Sequence, residues 1–475
     1  MKWINQVLNF KLISCIQILI LSLFIYTLFR LNVLPFSYSC IITIVLVVLN
    51  VLLWFGNRKD NLLTKLITII LCLLLIVPIT YMNKSIDTLG EITEVNDETN
   101  RIVLIVKNDS NYHEVSDLQG KDIQTNKKYN AVAIEDTIDV LNESIGYHLT
   151  DEVDFIKMAT NLYEGEVDAL LMNEAYLWVM EHKYETFEKD TRIIWTYEHK
   201  KNKENITKPI SNDMNCFNVF ISGIDTRGDV STVSRSDVNM LATVNMTTNQ
   251  ILLTSIPRDY YVYIPEIESS DKITHAGLNG VNSSVSTVEK LLDIDINYYV
   301  RVNFTSLITM VDALGGIDVY SDYEFGYPGR TYYIQKGYNH LNGERALVFS
   351  RERYALPNGD NDRIKNQQKV IQGMINKLIS PTIITNYIDI LDAVSGSFET
   401  NMSMKEITNI LKKQLETMKS WDVQSYALRG RGTYFTGGAM MPDAELYYCI
   451  PDQSSIKEAC DYIDMMINNE TIQVK

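Results

Sequence analysis

A short stretch of mixed charge, from Ser222 to Asn245, carries residue types that can hold a charged ligand. It reads SGIDTRGDVSTVSRSDVNMLATVN and brings Asp225, Arg227, Arg235 and Asp237 close together. The formal net charge of the whole chain is -16, so binding of an anionic ligand would require arginines that are concentrated locally. A surface cluster of salt bridges is the alternative. The two interpretations differ in whether further arginines join this stretch.

Three buried strands are predicted around this stretch, and charged residues lie at their ends. The strands run from Asn218 to Asp225, from Asn239 to Met246 and from Gln250 to Asp259. Ligands of open α/β sheets bind at the ends of strands, so we expect Arg258 to meet the first group at one edge of the sheet. We expect Asp259 to brace Arg258.

A later segment, VFSRERYALPNGDNDRIKNQQKVIQGMI, adds a second group of arginines. It contains Arg351, Arg353, Asp362, Arg363 and Gln367. Arg351 and Arg353 are two positions apart, and on a β-strand such residues share one face. More arginines therefore join the opening stretch, which favours a ligand site over a surface cluster.

The order of these motifs resembles the LytR-CpsA-Psr family. GIDTR, SRSD, MLATVN, SIPRDYYVYIP and KITHAGLNG come first, and INYYVRVNFTSLITMVDALGGIDV, LNGERALVFSRER and DRIKNQQKVI follow. The resemblance covers Asn215 to Leu378. It implies a transferase at the outer face of the membrane. The enzyme would move a glycopolymer, such as teichoic acid or capsular polysaccharide, from a polyprenyl diphosphate carrier to peptidoglycan through a phosphodiester.

The resemblance also implies roles for single residues. Asp225 and Asp237 fall where the family holds its metal, which we expect to be Mg²⁺, with Mn²⁺ as the alternative. Arginine forks match the oxygens of a diphosphate, and the family's grip on that group falls on Arg235, Arg258, Arg351, Arg353 and Arg363. Further substrate contacts are predicted at Arg227, Lys272 and Gln367. The opening stretch would thus combine the metal half and the phosphate half of one site.

Four residues near these motifs have simpler explanations or depart from the family. Lys272 is equally well explained as a surface lysine, and Gln367 as a hydrogen-bonding residue on a helix face. His275 is predicted to pack or to cap. Asn366 stands where an arginine is common after DRIK, so we expect one phosphate or structural contact to be missing.

A lipid carrier also requires an apolar groove. The segment FTSLITMVDALGG, from Phe304 to Gly316, places Leu307, Met310, Val311 and Leu314 at helical spacing. Such a stripe suits either a lipid tunnel or a plain hydrophobic core. We predict Leu307, Met310 and Val311 as lipid contacts.

Three long apolar runs near the N-terminus predict membrane helices. Leu12 to Phe29, Val33 to Phe55 and Leu66 to Met82 contain no charged residue, and each is near the length that crosses a bilayer. Lysines and arginines are concentrated before the first run and between the second and third. This distribution predicts a cytoplasmic N-terminus and places everything after the third run outside, although Arg30 in the first outer loop opposes it. A cleaved signal peptide is the rival for the first run.

These observations predict three domains in an α/β protein. Residues 1–83 form three transmembrane helices, residues 84–205 form a small α/β accessory domain, and residues 213–475 form an α/β/α catalytic domain with a central mixed sheet. In the accessory segment, DLQGK followed by GEVDAL resembles half of a periplasmic solute-binding domain. A spacer or docking domain without a ligand is the alternative.

The cysteines outside the membrane runs are Cys216, Cys449 and Cys460, and their spacing matches no zinc pattern. The sequence neither predicts nor excludes a disulfide bond between Cys449 and Cys460.

Other functions remain as alternatives or are excluded by composition. A hydrolase that cleaves the polyprenyl diphosphate would use the same residues with water as the acceptor. A membrane-bound sensor would instead bind a solute in the accessory domain. The acidic balance argues against a nucleic-acid partner, and the sequence lacks the GxSxG, HExxH and P-loop patterns of serine hydrolases, zinc proteases and nucleoside triphosphatases. The partners that the family resemblance implies are the lipid-linked glycopolymer, peptidoglycan and membrane lipid.

Overall fold

A computed structural model shows membrane-type helices followed by two α/β domains. It describes residues 9–474 apart from residues 60, 94–96, 204, 205, 207, 209–214, 225, 227, 228, 379–386, 396 and 418. We call residues 97–202 the accessory domain and residues 216–474 the C-terminal domain.

Three helices in the described part of the chain are long and apolar enough to cross a membrane. They are α1 (Phe10–Leu31), α2 (Phe36–Arg58) and α3 (Leu62–Thr93). The side chain of Asn9 accepts a hydrogen bond from Lys11 N and so caps α1, whose buried face packs mainly against α3. Their Leu- and Ile-rich sequences expose apolar side chains outward, as lipid contact requires.

Helix α3 extends beyond residue 83, where the sequence predicts the end of the membrane domain. It continues to Thr93 and carries polar residues in its last turns. There, Lys84 forms an ion pair with Asp392, and Ser395 Oγ donates a hydrogen bond to Glu91. The third helix thus reaches from the apolar run to the C-terminal domain.

The accessory domain contains one mixed sheet covered by helices. The sheet order is β3-β2-β4-β1-β5, with β2 parallel to β3 and β4, and β1 antiparallel to β4 and β5. The strands are β1 (Asp97–Lys107), β2 (Asp122–Thr125), β3 (His148–Asp151), β4 (Ala169–Asn173) and β5 (Thr191–Asn202). The helices are α4 (Ala131–Asn142), α5 (Phe155–Glu164), α6 (Leu177–Glu181) and α7 (Phe187–Asp190). Apolar residues of β1 and β4 face both sides, because α4 packs on one face and α5 on the other.

The C-terminal domain is built on a six-stranded mixed sheet of order β14-β11-β6-β7-β8-β15. Strand β11 is parallel to β6, and β15 is parallel to β8, while β7 is antiparallel to both of its neighbours. Three small two-stranded ribbons accompany this sheet: β9 with β10, β12 with β13 and β16 with β17. The strands of the domain are β6 (Cys216–Ile224), β7 (Ser236–Asn245), β8 (Gln250–Ile256), β9 (Tyr261–Ile264), β10 (Ser269–Lys272), β11 (Tyr298–Val302), β12 (Ile317–Ser321), β13 (Gly337–Leu341), β14 (Glu399–Thr400), β15 (Asp422–Ala427), β16 (Gly430–Phe435) and β17 (Leu446–Pro451).

Helices cover both faces of this sheet, which confirms the α/β/α architecture. The helices are α8 (Ile273–Ala276), α9 (Val281–Leu292), α10 (Phe304–Ala313), α11 (Gly343–Arg351), α12 (Asp360–Leu378), α13 (Tyr387–Val394), α14 (Met404–Thr417) and α15 (Gln453–Ile467). Helices α9 and α15 pack in one core with Phe220 and Leu241 of the sheet. Helices α12 and α14 pack on the opposite face, against Met240 and Leu253. Because the strands are buried on both faces, they are nearly continuously apolar.

The accessory and C-terminal domains share a core and backbone hydrogen bonds. Leu278 and Met440 of the C-terminal domain are buried among residues of the accessory domain. Thr99 N donates to the carbonyl of Ser231 at 3.0 Å, and Val233 N donates to the carbonyl of Thr99 at 2.9 Å. The predicted linker, residues 206–212, falls largely outside the described residues.

All six cysteines are free thiols, so the bridge left open between Cys449 and Cys460 is wrong. Cys449 is buried beside Gly430 in the ribbon of β16 and β17, whereas the Cys460 thiol on α15 donates to the carbonyl of Leu292 at 3.2 Å. Cys449 thus lies on a strand and Cys460 on a helix of the same hydrophobic core. Burial raises the pKa of the Cys449 thiol to about 11, which keeps it protonated and unreactive at neutral pH.

Candidate active site

A cavity of about 470 Å³ opens where β6 and β11 end and β7 begins. Its lining combines a charged group of residues with an apolar group, and the two groups meet where Arg351 lies over Phe304. The charged wall consists of Arg235, Asp237, Arg258, Arg351, Arg353 and Arg363, with Gln367 beside them. The apolar wall consists mainly of Ile221, Val302, Phe304, Leu307, Leu347, Val370 and Ile371. A ligand with an anionic head and an apolar tail matches this division.

Asp237 and Arg258 form the centre of the charged wall. Asp237 is the second residue of β7, and Arg258 lies just beyond the end of β8, so the antiparallel pairing of these strands brings them together. Arg258 Nη1 donates to Asp237 Oδ2 at 2.6 Å. Thr274 Oγ1 donates to the other oxygen, Oδ1, at 3.2 Å. These contacts orient the carboxylate while about a fifth of it, 21%, stays exposed to the cavity.

Arg351 and Arg353 lie at the end of a helix and not on a strand, which corrects the strand geometry assumed for this pair. The side chain of Asn342 caps α11, which runs to Arg351, and the extended Glu352 then turns the chain. The Arg351 guanidinium lies 4.3 Å from the ring centroid of Phe304. Because the helix breaks between the two arginines, both still reach the same cavity.

The partners of this pair are aromatic rings. Arg353 lies 4.7 Å from the ring centroid of Tyr354 and donates to its hydroxyl at 2.6 Å. Among the described residues, no carboxylate forms a salt bridge with Arg351 or Arg353. Aromatic faces hold a guanidinium in place without neutralising its charge. The arrangement therefore leaves positive charge for an anionic ligand.

Arg363 and Asp360 form a partly buried pair at the start of α12. Arg363 Nη2 contacts Asp360 Oδ1 one helical turn away. Burial raises the pKa of the Asp360 carboxyl, as does the nearby Asp259, although the arginines around it oppose that rise. Burial and the neighbouring Arg258 lower the pKa of Arg363. Crowded guanidinium groups of this kind are stabilised by an anion that binds between them.

Arg235 is held by a residue of the accessory domain. Its guanidinium lies 4.9 Å from the ring centroid of Trp178, which is on α6. The imidazole of His275 stacks at 5.0 Å on the same indole, and its Nδ1 lies 3.0 Å from Asp271 Oδ1. His275 therefore packs, as predicted. The accessory domain contributes directly to the position of a pocket arginine.

Several residues predicted at the site lie elsewhere. Lys272 lies outside the lining of this cavity, and its Nζ forms an ion pair with Asp259 at 2.9 Å. Met310 and Val311 are buried in a core with Leu341 and Phe349, and only Leu307 of that helical stripe lines the cavity. Asp225 and Arg227 lie outside the described residues.

The polar residues of α12 have mainly structural partners. Asn366 Nδ2 donates to the carbonyl of Phe349, and Gln367 Nε2 donates to the carbonyl of Ser350, both at 3.3 Å. The asparagine that replaces the expected arginine thus holds the end of α11. Asp362 accepts a hydrogen bond from Asn358 N at 3.0 Å and fixes the loop before α12.

Five residues at or beside the site were not predicted from the sequence: Trp178, Thr274, Phe304, Tyr354 and Asp360. One signal was present for Asp360, since it stands three positions before Arg363 in a helical segment, where opposite charges meet. The aromatic partners carried no such signal, because they come from separate segments.

Asp237 is suited to bind a divalent cation together with phosphate. Mg²⁺ prefers oxygen ligands and is commonly held by one or two carboxylates and the oxygens of a bound phosphate. The partly exposed Asp237 carboxylate faces the cavity beside the arginines. Within the described residues there is no group of three or more His, Cys, Asp or Glu side chains that could hold a metal ion.

Comparison with known proteins assigns the family. The model of the LytR_cpsA_psr family matches residues 178–460, which is more than half of the chain. The chain belongs to the LytR-CpsA-Psr family.

Its relatives include two named transferases. A "polyisoprenyl-teichoic acid--peptidoglycan teichoic acid transferase TagU" from Bacillus cereus is 37% identical over 254 residues, which cover 53% of this chain and 79% of that protein. The protein of the same name from Enterococcus faecalis is 39% identical over 234 residues, covering 49% and 72%.

Solved structures are similar to about half of the chain. The crystal structure of B. subtilis TagU has 32% sequence identity and a TM-score of 0.42, covering 55% of this chain and all of that one. The structure "TagT bound to LI-WTA" has 28% identity and a TM-score of 0.44, covering 55% and 94%.

Proposed function

We propose that this protein is a transferase that moves an anionic glycopolymer, of the teichoic acid or capsular polysaccharide type, from a polyprenyl diphosphate carrier to peptidoglycan. The family relationship and the names of the relatives support this assignment.

The observation that carries the proposal is the division of one cavity into an arginine wall and an apolar wall. Arginines from four separate segments surround the position that a diphosphate would take, and their planar forks suit its oxygens. The apolar wall around Phe304 and Leu307 suits the first isoprene units of the carrier. A soluble phosphate compound would not need that second wall.

The reaction is a displacement at phosphorus. A hydroxyl oxygen of the acceptor forms a bond to the phosphorus that carries the glycopolymer, and the bond from that phosphorus to the bridging oxygen breaks. Polyprenyl phosphate leaves, and the hydroxyl proton is released to solvent. Arg258, Arg351 and Arg363 stabilise the negative charge that grows on the bridging and outer oxygens.

Mg²⁺ is the proposed cofactor, with Mn²⁺ as the alternative. Asp237 would hold it, and Asp225 is the second ligand expected from the sequence. The cation would neutralise negative charge of the diphosphate, which the two carboxylates would otherwise repel. Arg258 orients Asp237 for this role.

The test is product analysis with the full chain in lipid nanodiscs and a lipid-linked glycopolymer as donor. With peptidoglycan present, mass spectrometry should find the polymer joined through a phosphodiester. Without peptidoglycan, the donor should remain largely intact. Release of free polymer phosphate at the same rate in both reactions would instead identify a polyprenyl diphosphate hydrolase.

The proposal also places the C-terminal domain on the outer face of the membrane, where peptidoglycan is found. We expect a cysteine introduced at the exposed Asn142 to react with an impermeant thiol reagent in intact cells. A cysteine at the exposed Asn61, in the lysine- and arginine-rich loop before α3, should stay unlabelled. The parent protein gives the background of its own thiols. Labelling at Asn61 would reverse the proposed orientation.

A further inference from the structure

A second cavity, of about 410 Å³, lies between the accessory and C-terminal domains. Its accessory wall comes from β1, the end of β4 and α6, and its other wall comes from Thr226 and residues 232–235. The residues that line it include Arg101, Glu174, Trp178, Glu181 and Glu188 on one side, with Thr226, Ser234 and Arg235 on the other. Arg235 lines both this cavity and the arginine pocket, so the two cavities are neighbours.

The walls of the second cavity are held in place. Thr99 pairs with Ser231 both through the backbone and through hydroxyl groups 2.9 Å apart. Glu98 Oε1 accepts a hydrogen bond from Val281 N, at the start of α9, at 2.8 Å. Together with the shared core, these contacts fix the cavity between the domains and argue against an open gap between loosely tethered domains.

Three of the residues that line the cavity carry buried polar atoms. Trp178 Nε1, Thr226 Oγ1 and Arg101 Nε have no hydrogen-bond partner in the described part of the protein. Buried polar atoms without partners are rare in folded proteins, because each costs free energy. Trp178 offers only its edge, since Arg235 and His275 cover its ring. Recognition here would therefore use hydrogen bonds and not stacking.

The balance of charge narrows the class of ligand. Three carboxylates, Glu174, Glu181 and Glu188, supply acceptors, and two guanidinium groups, Arg101 and Arg235, supply donors. Arg101 Nη1 already pairs with Glu174 at 2.7 Å. A strongly anionic ligand would meet the carboxylates, and a cationic ligand would meet the arginines. A neutral molecule with many hydroxyl and amide groups satisfies both sets.

We propose that this cavity binds an N-acetylated sugar unit of the acceptor glycan and presents its hydroxyl to the diphosphate held beyond Arg235. The role as acceptor site rests on the proposed function, whereas the binding of the sugar does not. The accessory domain then has a defined role, because it completes the acceptor half of the active site.

The test compares two variants of the cavity with one control in the full chain in nanodiscs. Glu181→Gln removes a charged acceptor, and Ala175→Leu fills space, because Ala175 lines the cavity. Glu185→Gln, at an exposed site outside the cavity lining, is the matched control. Binding of peptide-free peptidoglycan glycan strands is measured by calorimetry, with the isolated stem peptide as a second probe.

We expect glycan strands to bind the parent and the control equally, and both cavity variants at least about tenfold more weakly, since a hydrogen bond to a charged group and space for the ligand are lost. The KM for the acceptor should rise in step, while affinity for the lipid diphosphate stays unchanged. Unaltered glycan affinity in both variants, or binding of the stem peptide in place of the glycan, would overturn the inference.

The outcomes separate this inference from the proposed function. A parent that binds glycan strands in this cavity but transfers no polymer contradicts the proposed function and leaves the sugar site standing. Intact transfer together with unchanged glycan affinity in both variants removes the sugar site and leaves the transferase standing.

Discussion

Arginine has two opposite environments in the C-terminal domain, the cavity and the interior of the sheet. In the cavity, Arg351 and Arg353 rest on aromatic rings. In the interior, Arg301 of β11 is 1% exposed and contacts other groups of the protein. Its Nη2 donates to the carbonyl of Thr232 at 2.7 Å, and its Nη1 lies 3.6 Å from Glu399 Oε2.

Glu399, the carboxylate beside Arg301, has further partners in the interior. This carboxylate is fully buried and also accepts a hydrogen bond from Tyr299 at 3.0 Å and forms an ion pair with Lys203. The cluster joins the end of the accessory domain, the central sheet and the segment that leads to Arg235. For three of these arginines the partner differs with the role: a carboxylate and carbonyls hold Arg301 in the scaffold, whereas aromatic faces leave the charge of Arg351 and Arg353 for a ligand.

The largest expected effect lies in the scaffold. Arg301→Ala would leave the buried Glu399 with one cation fewer and the carbonyl of Thr232 without the Arg301 donor. We expect a loss of up to about 3–5 kcal/mol of stability, because a buried charge loses one of its partners. Thermal unfolding of the purified chain measures this loss. Arg330→Ala, at an exposed position, is the matched control. Equal melting temperatures for the two variants would contradict a structural role of Arg301.

The next largest effect concerns Asp237 in the cavity. Asp237→Ala should reduce turnover on the order of 100- to 1,000-fold, as is typical when a group that stabilises charge in a transition state is removed. The melting temperature should change little, because the side chain is partly exposed. A chelator should inhibit the parent protein to a similar degree, and Asp443→Ala, on the surface, should behave as the parent. Full turnover in the presence of chelator would remove the metal from the proposal.

A smaller effect is expected for each arginine of the pair. Arg351→Ala and Arg353→Ala should each weaken binding of polyprenyl diphosphate by about 1.5–3 kcal/mol, the range for hydrogen bonds to charged groups. Unfolding should stay unchanged, in contrast to Arg301→Ala. Arg353→Lys should recover part of the binding, since lysine keeps the charge but lacks the planar fork. Normal lipid binding with a lowered melting temperature would move both residues from the cavity to the scaffold.

The smallest expected effect concerns two carboxylates, Asp271 and Asp360, whose pKa values are shifted in opposite directions. Asp271 is buried, which by itself raises its pKa, but His275 and the backbone N–H groups of Met440 and Lys272 bring the pKa below its ordinary value. Its stabilising contribution is therefore present above pH about 4 and is lost as the pH falls through the lowered pKa. Asp271→Asn should flatten the acid side of a plot of melting temperature against pH.

Asp360 should show the opposite sign, because burial raises its pKa. Its ionised form is disfavoured in the folded protein, so Asp360→Asn should leave stability at neutral pH unchanged or slightly higher. A loss of stability in Asp360→Asn as large as that in Asp271→Asn would show that the two carboxylates do not differ in role.

Much of the fold could be predicted from local patterns. The apolar runs that predict three membrane helices coincide with α1, α2 and α3, and the strands predicted from Asn218 and Asn239 match β6 and β7 within a few residues. Length, hydrophobicity and alternation act over one segment at a time, so the order of residues suffices. The assumed strand at Arg351 was wrong, because the cap at Asn342 starts a helix that runs to Arg351.

The sequence by itself determined which residues carry the charge and which segments become strands or membrane helices, since both depend on residue type and near neighbours. Only the tertiary structure decided that arginines from four separate segments face one cavity while Arg301 faces Glu399 in the interior. It also decided that Trp178 of the accessory domain lies against Arg235. The physical reason is that an arginine's role depends on its partners and on its distance from water, and both are set by packing between segments far apart in the chain.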